Sequence, residues 1–385
     1  MHGVEGFMYP NEAELQWSIL IVLYPFITGL VAGAFILASL ERVFKIGAVK
    51  PTYRLALLTA LAFLLVAPLP LQLHLGHPER SLEMLFTPHR SSAMAMFGFV
   101  YLWYLMVVLL LEVWLDYRVD IVRLSQTSRG PMRLLYKLLT LGSSNVSPEA
   151  LKLDDKVGWL ITVIGIPSAF LLHGYVGFIF GSVKANAWWS TPLMPIVFIF
   201  SAMVSGIAAV MLIYVVYSKV QRQPINMVCL DMIARCLFYV FLVDFSLEML
   251  DLIHRMYEAS ESFRALDFMV HSRLFVSQVV IQILLGTVLP ILVLGATQAL
   301  KFSDKIRRFL YVVSGLCTLV GIFAMRWNVV VGGQLFSKSY LGYTTYKLEL
   351  AGREGLGTAI ILMILPLVIL AVLLKVLPPW KEQTS

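Results

Sequence analysis

The chain has 385 residues, of which 59% are hydrophobic and 14% charged, with a mean hydropathy of +0.81 and a formal net charge of +7. That balance leaves too little polar surface to coat a water-soluble domain, so most of the exterior is built for lipid. The positive charge, which on a soluble chain would point toward nucleic acid, is read first as membrane topology.

Residues 1–16 carry Glu5, Glu12 and Glu14 with no Lys or Arg, and the apolar run behind them is too long for the core of a signal peptide. They are expected to form an extracytoplasmic segment leading into a retained crossing. Apolar stretches able to span ~30 Å of hydrocarbon at a rise of ~1.5 Å per residue lie at about 17–40, 53–75, 93–115, 157–180, 192–217, 229–253, 272–300, 306–326 and 356–377. The sequence therefore predicts an all-α polytopic membrane protein of about nine helices, with eight to ten in range. One membrane domain over 17–377 would be followed by a cytoplasmic tail, 378–385.

Successive connections divide the basic residues unequally. Of the 30 Lys and Arg residues, 19 fall on one side and 10 on the other, with Arg235 inside a span. The positive-inside rule makes the richer side cytoplasmic, which puts the N-terminus outside and the C-terminus inside the cytoplasmic membrane. The longest cytoplasmic connection, 116–156, contains the amphipathic stretch RLLYKLLTL (133–141), which is too short to cross and is expected to lie on the membrane. Gly29 with Gly33, and Gly177 with Gly181, have the small-xxx-small spacing of helix contacts.

Cys229, Cys236 and Cys317 form no CxxC or CxxCH pattern, so neither an iron-sulfur centre nor a covalently attached haem is encoded, and no metal site is expected. Ionisable groups inside hydrocarbon are costly and mark polar pathways or sites. Asp244, Glu248 and Asp251 follow i, i+4, i+7 spacing on one face of the sixth helix, and Arg255 extends the stripe. Three ionised carboxylates in a row would repel one another, so at least one is expected to have a raised pKa or a cationic partner, which suits a group that passes protons. Asp231 and Arg235, on the opposite face, read as a structural ion pair.

His74 and His77 end the second helix, and His173 lies in the outer half of the fourth. One b-type haem between His173 and His74 is the weaker reading, because no second histidine pair matches in depth. After the fourth helix come Lys184, Asn186, Trp188 and Trp189, where paired indoles read first as interfacial anchors and second as a flat wall for a ring. Arg326 and Asn328 are placed at the start of a long outer connection rich in Tyr and Gly. These groups gather toward the outer face, whereas the inner half offers little beyond Asp231, Arg235, Glu41 and Glu112. Imidazoles, carboxylates and aromatic walls without a metal motif suit an exchangeable lipophilic ligand that trades protons, namely a quinol.

The stretches LHLGHPER (73–80), LLHGYVGFIFGSVKANAWWSTPLMP (171–195), FLVDFSLEMLDLIHRMYE (241–258) and MRWNVVVGGQ (325–334) resemble the NrfD/polysulfide-reductase membrane-subunit family. The likeness is greatest to its DsrP branch, and the hydrogenase-linked HybB-type subunits are similar. The resemblance implies a cofactor-free subunit that exchanges electrons between menaquinol and an extracytoplasmic four-cluster iron-sulfur subunit. It also implies further membrane and cytoplasmic subunits and a setting in dissimilatory sulfur metabolism. His173, Tyr175, Asp244 and Glu248 match motif positions. Many relatives carry Asp-Leu-Gly-Arg-Pro where this chain has His74, Leu75, Gly76, His77 and Pro78, so imidazoles replace an acid and a guanidinium. The expected site comprises His173, Asp244 and Glu248 as proton-handling groups. His74, His77, His173, Tyr175, Lys184, Trp188 and Arg326 would hold the quinone, and Asp244, Glu248 and Asp251 would relay protons outward. A secondary transporter and a purely structural anchor are the competing readings; outward placement and the lack of matching halves argue against the transporter.

Overall fold

The structure is a computed structural model that describes residues 4–87, 89, 91–258 and 262–380. Eight helices are long and apolar enough to cross a membrane. In chain order with one further helix they are α1 (Ile19–Arg42), α2 (Gly47–His74), α3 (Met96–Thr127), α4 (Pro148–Gly181), α5 (Met194–Val220), α6 (Met227–Glu258), α7 (Phe275–Ala299), α8 (Asp304–Gln334) and α9 (Leu356–Val376). The additional one is α6. Every 18-residue stretch within it holds at least three ionisable residues, so its apolar content marks it as a crossing less firmly than that of the others does. Its contacts decide the matter: at one end Asn226 donates its backbone N–H to Tyr214 near the end of α5, 3.0 Å. At the other end Thr191, just before α5, donates to Asp251, 2.5 Å. α6 therefore runs antiparallel to α5 across the same thickness, and among the described residues the bundle has nine crossings.

α1 is apolar on every side, and each residue from Ile19 to Ser39 is buried. A helix hydrophobic all round belongs inside a bundle, and α2, α4, α5 and α8 pack around this one. Small residues set the closest approaches. A Cβ on Gly33 would lie 2.2 Å from the Ala202 carbonyl oxygen and 2.7 Å from the Gly206 Cα. α1 and α5 touch backbone to backbone there, as the Gly29/Gly33 spacing led one to expect. The Gly177/Gly181 pair packs similarly on Pro195, Met194 and Thr191. α7 and α8 cross at Gly286 and Gly321.

The basic connections share one end of the bundle, called here the basic face. The amphipathic stretch predicted near 133–141 is the helix Gly130–Leu139, which exposes Leu134, Leu135 and Leu138 and buries Tyr136. Its Tyr136 hydroxyl donates to the Val376 carbonyl (2.8 Å), and Trp114 donates to the Leu139 carbonyl (2.9 Å). At the opposite face the N-terminal segment and the 335–355 connection fold over the helix ends. Strand β1 (Glu5–Gly6) pairs antiparallel with β2 (Gly342–Tyr343). The Gln334 side-chain oxygen accepts from the Gln16 and Trp17 N–H groups (3.1 and 3.0 Å), which ties the end of α8 to the chain entering α1.

Candidate functional site

Five helices deliver polar side chains to one buried cluster in the half of the bundle nearer the opposite face. α4 supplies His173, α1 Thr28, α5 Ser201, α6 Asp244 and α8 Arg326, and all are at most 2% exposed. Gly29 makes room for the imidazole, since a Cβ there would sit 3.3 Å from the ring. Arg326 donates to His173 Nε2 at 3.0 Å and to Ser201 Oγ at 2.7 Å, with its guanidinium 4.0 Å from the centre of the Phe198 ring. A guanidinium cannot accept, so His173 Nε2 must be the bare acceptor and Nδ1 must carry the proton. Nδ1–H then donates to Thr28 Oγ1 (3.2 Å), whose hydroxyl passes on to the Tyr24 carbonyl (2.9 Å). His173 is thereby fixed as a neutral imidazole with both nitrogens in use.

Asp244 and Glu248 lie near enough to Arg326 and to each other to feel one another's charge, although neither forms an ion pair with Arg326. The α6 stripe is thus countered by a cation that comes from α8. Asp244 Oδ1 and Arg326 Nε are buried without a hydrogen-bond partner, which leaves the cluster one donor and one acceptor to spare. Further along the stripe Asp251 accepts from Thr191 (2.5 Å) and Arg255 (2.9 Å), and Arg255 also holds the Ala187 and Trp188 carbonyls.

Beside this cluster lies a cavity of about 330 Å³ between α5, α6, α7, α8 and the short helix Phe263–His271. Met194, Met249, Met256, Met325 and Trp188 give it an apolar, deformable wall. Its polar groups are Glu248, Gln278, Gln282 and Asn328, Asp251 with its partners Thr191 and Arg255, and Asp267 and His271, paired on its wall at 3.1 Å. Asn328 donates to Gln282 (2.8 Å) and Gln282 donates to Glu248 (3.4 Å), so a chain of amides runs from α8 through α7 to the carboxylate. The size and the mixture of a mostly apolar wall with a few converging polar groups match small-molecule sites of ~300–1,000 Å³.

The residues singled out from the sequence separate into three places. Glu248, Asp251 and Trp188 line the cavity; His173, Asp244 and Arg326 form the buried cluster behind it. His74, His77, Tyr175 and Lys184 are in neither. His74 pairs with Glu354 (2.9 Å) and His77 with Glu79 (3.0 Å) at the opposite face. Tyr175 stacks on Phe97, 6.0 Å between ring centres, and Lys184 is exposed.

Four readings change. Arg326 is within a helix rather than at its end, because α8 continues unbroken through Val330, and it is fully buried. Trp188 and Trp189 are not interfacial anchors: their indole N–H groups donate to the Asn328 and Val329 carbonyls (2.9 and 2.6 Å), and Trp17 stacks on Trp189 at 5.1 Å. They pin the loop before α5 onto α8. Asp231 pairs with Arg307 and Tyr311 of α8 rather than with Arg235, which donates to Gln298 at 3.2 Å. The half nearer the basic face also carries its own acidic stripe on α3, Glu112, Asp116 and Asp120 at four-residue steps. Glu112 accepts from Tyr53 and Thr162 (3.3 and 2.7 Å), while Arg54 bridges Asp116 and Asp120 (2.6 and 2.8 Å).

Gln278, Gln282, Thr28 and Ser201 escaped the sequence reading because uncharged polar residues are common in membrane helices. Two glutamines four apart within the apolar 272–300 stretch were the available signal.

Comparison with known proteins agrees with this architecture. Residues 9–338 match the family model described as "Polysulphide reductase, NrfD". The chain is 28% identical to a selenate reductase subunit of Mesobacillus selenatarsenatis over 82% of its own length and 73% of that protein. It is 29% identical over 53% of its length to a candidate dimethyl sulfoxide reductase membrane subunit of Halobacterium salinarum, of which it spans 44%. It is 30% identical over 52% of its length to the protein NrfD of Escherichia coli, of which it spans 59%. With the match running from the N-terminal segment through eight of the nine crossings, this polytopic membrane protein belongs to the NrfD/polysulphide reductase family.

Proposed function

We propose that the chain is the quinone-interacting membrane subunit of a respiratory oxidoreductase complex and that a quinol is oxidised in the α5–α8 cavity. The observation that carries this reading is the cavity itself: a methionine- and indole-walled space whose converging acids, Glu248 and Asp251, sit on the same stripe as the buried Asp244. Oxidation of a quinol releases two electrons and two protons. Glu248, tethered by the Gln282–Asn328 amide chain, accepts one hydroxyl proton, and Asp251 or cavity water receives the other. Asp244 and Arg326 hold the field around Glu248, and His173, neutral and engaged at both nitrogens, positions Arg326 instead of accepting the first proton.

The electrons pass to a partner subunit, since no encoded motif in the chain would hold a redox centre. The likeness to named reductase subunits supports a complex of this kind, and the resemblance of the quoted stretches to the DsrP branch favours menaquinol, a four-cluster iron-sulfur partner and a link to sulfur metabolism. The greater basic charge at one face supports a cytoplasmic assignment for it. The cavity then lies toward the outside, where its protons are released.

The test is quinol-dependent reduction of the partner by the purified complex, with Glu248→Gln as the variant. Loss of a general base is expected to slow turnover by about 10²–10⁴-fold without loss of assembly. Wild-type turnover by an intact complex would remove the cavity from the reaction.

A further inference from the structure

The basic face carries a second cavity, of about 170 Å³, walled by Arg54, Asp120, Arg123, Tyr136, Lys375 and Trp380. It lies where α2 begins, where α3 and α9 end, and beside the amphipathic helix Gly130–Leu139. Three cations face one carboxylate in its wall, and that carboxylate is already engaged. Asp120 accepts from Arg54 (2.8 Å) and from Arg123 (3.2 Å). Arg54 is also tied to Asp116 at 2.6 Å and so forms a fixed floor. Arg123 is half exposed, its side chain 52% accessible, and Lys375 is exposed with no carboxylate within salt-bridge distance among the described residues. The rim therefore presents uncompensated positive charge.

The two rings are held by their polar atoms. The Tyr136 hydroxyl donates to the Val376 carbonyl (2.8 Å) and the Trp380 indole to the Pro51 carbonyl (2.9 Å). What they leave to the cavity is ring surface. Above Lys375 on the same face of α9, at steps of three and four residues, stand Val372, Val368, Ile364 and Ile361, all exposed. An apolar track thus ends in a cationic, aromatic-walled cavity level with the exposed leucines of the amphipathic helix. A free phosphate would need the charge but not the track.

We propose that this cavity seats the headgroup of an anionic phospholipid. Arg123 and Lys375 bind its phosphate, Tyr136 and Trp380 pack against the glycerol backbone, and an acyl chain lies along the α9 stripe. Charge at the rim and apolar surface directly above it are the two complements such a lipid requires.

The experiment is native mass spectrometry of the full-length protein, delipidated and titrated with phosphatidylglycerol, phosphatidylethanolamine or inorganic phosphate. Phosphatidylglycerol should be retained through detergent exchange and the other two should not. Arg123→Gln with Lys375→Gln should weaken its retention by roughly thirtyfold, as expected for two juxtamembrane charges. Lys219→Gln with Arg222→Gln, on the same face but not in the cavity wall, should leave retention unchanged. Because both rim residues are exposed, the unfolding midpoint of the first double variant in neutral detergent should match wild type. Equal retention of phosphatidylethanolamine, displacement by inorganic phosphate, or full retention by the Arg123/Lys375 variant would each overturn the proposal.

Discussion

Replacing Arg326 by Met tests the buried cluster most directly. The substitution removes the donors to His173 Nε2 (3.0 Å) and Ser201 (2.7 Å) and the cation 4.0 Å from the Phe198 ring. It also strips Asp244 and Glu248 of their positive neighbour. Truncating one partner of a contacting buried charge pair costs about 3–5 kcal/mol, mostly because the remaining charge stays desolvated, and that is the upper bound here, where the charges interact without an ion pair. Removing the second charge should recover much of that loss. Asp244→Leu in the Arg326→Met background is therefore expected to unfold later than Arg326→Met alone, with a coupling of about 2 kcal/mol between the sites. The assay is reversible unfolding in detergent, followed through the chain's eight tryptophans, for wild type, both single variants and the double. Additive costs, agreeing within ~0.5 kcal/mol, would show that Arg326 and Asp244 do not sense each other, and the cluster as described would be wrong.

Three further outcomes follow from the packing. Gly206→Val places a side chain where the Gly33 Cα lies only 2.4 Å from an ideal Cβ, so α1 and α5 must separate and the yield of folded protein should collapse; near-normal yield would refute the backbone contact. Trp188→Phe deletes the hydrogen bond to the Asn328 carbonyl and should cost about 1 kcal/mol, with faster hydrogen exchange in residues 186–193 as the readout; unchanged exchange there would mean that the indole is not what pins the loop. His74→Ala breaks a partly exposed pair with Glu354 and should lower stability by less than ~1 kcal/mol while speeding exchange at 351–355; a loss several times larger would mean that His74 is buried more deeply than its 23% side-chain exposure indicates.

Much of the fold was legible because membrane helices announce themselves by length and apolarity. All nine crossings were read from the sequence, and the structure adjusts only their ends. α4 starts at Pro148, well before the predicted 157, because its first turns are polar and extend beyond the apolar core. α6 is the most highly charged of these, and its contacts with α5 at both ends agree with the crossing read from the sequence. Arg326 was misjudged because a guanidinium after an apolar run normally marks the exit from the bilayer, and its compensation by Asp244, Glu248 and His173 comes from distant segments. Trp188 and Trp189 read as surface anchors because nothing local reveals that α8 carbonyls await them.

By itself the sequence determined that this is a helical membrane protein, which helices carry charge, on which face of α6 the acids lie, and that one side is the more basic. These are consequences of composition and of a period of ~3.6 residues, both local. Only the tertiary structure decided which charges meet. It sent Asp231 to Arg307 instead of Arg235, set Arg326 against His173, left His74 and His77 at a separate edge, and opened the cavity beside Glu248. Pairing inside a bilayer depends on how helices rotate and cross. Here backbone contacts at a few glycines, Gly33 with Gly206 and Gly286 with Gly321, hold the helices at those crossings.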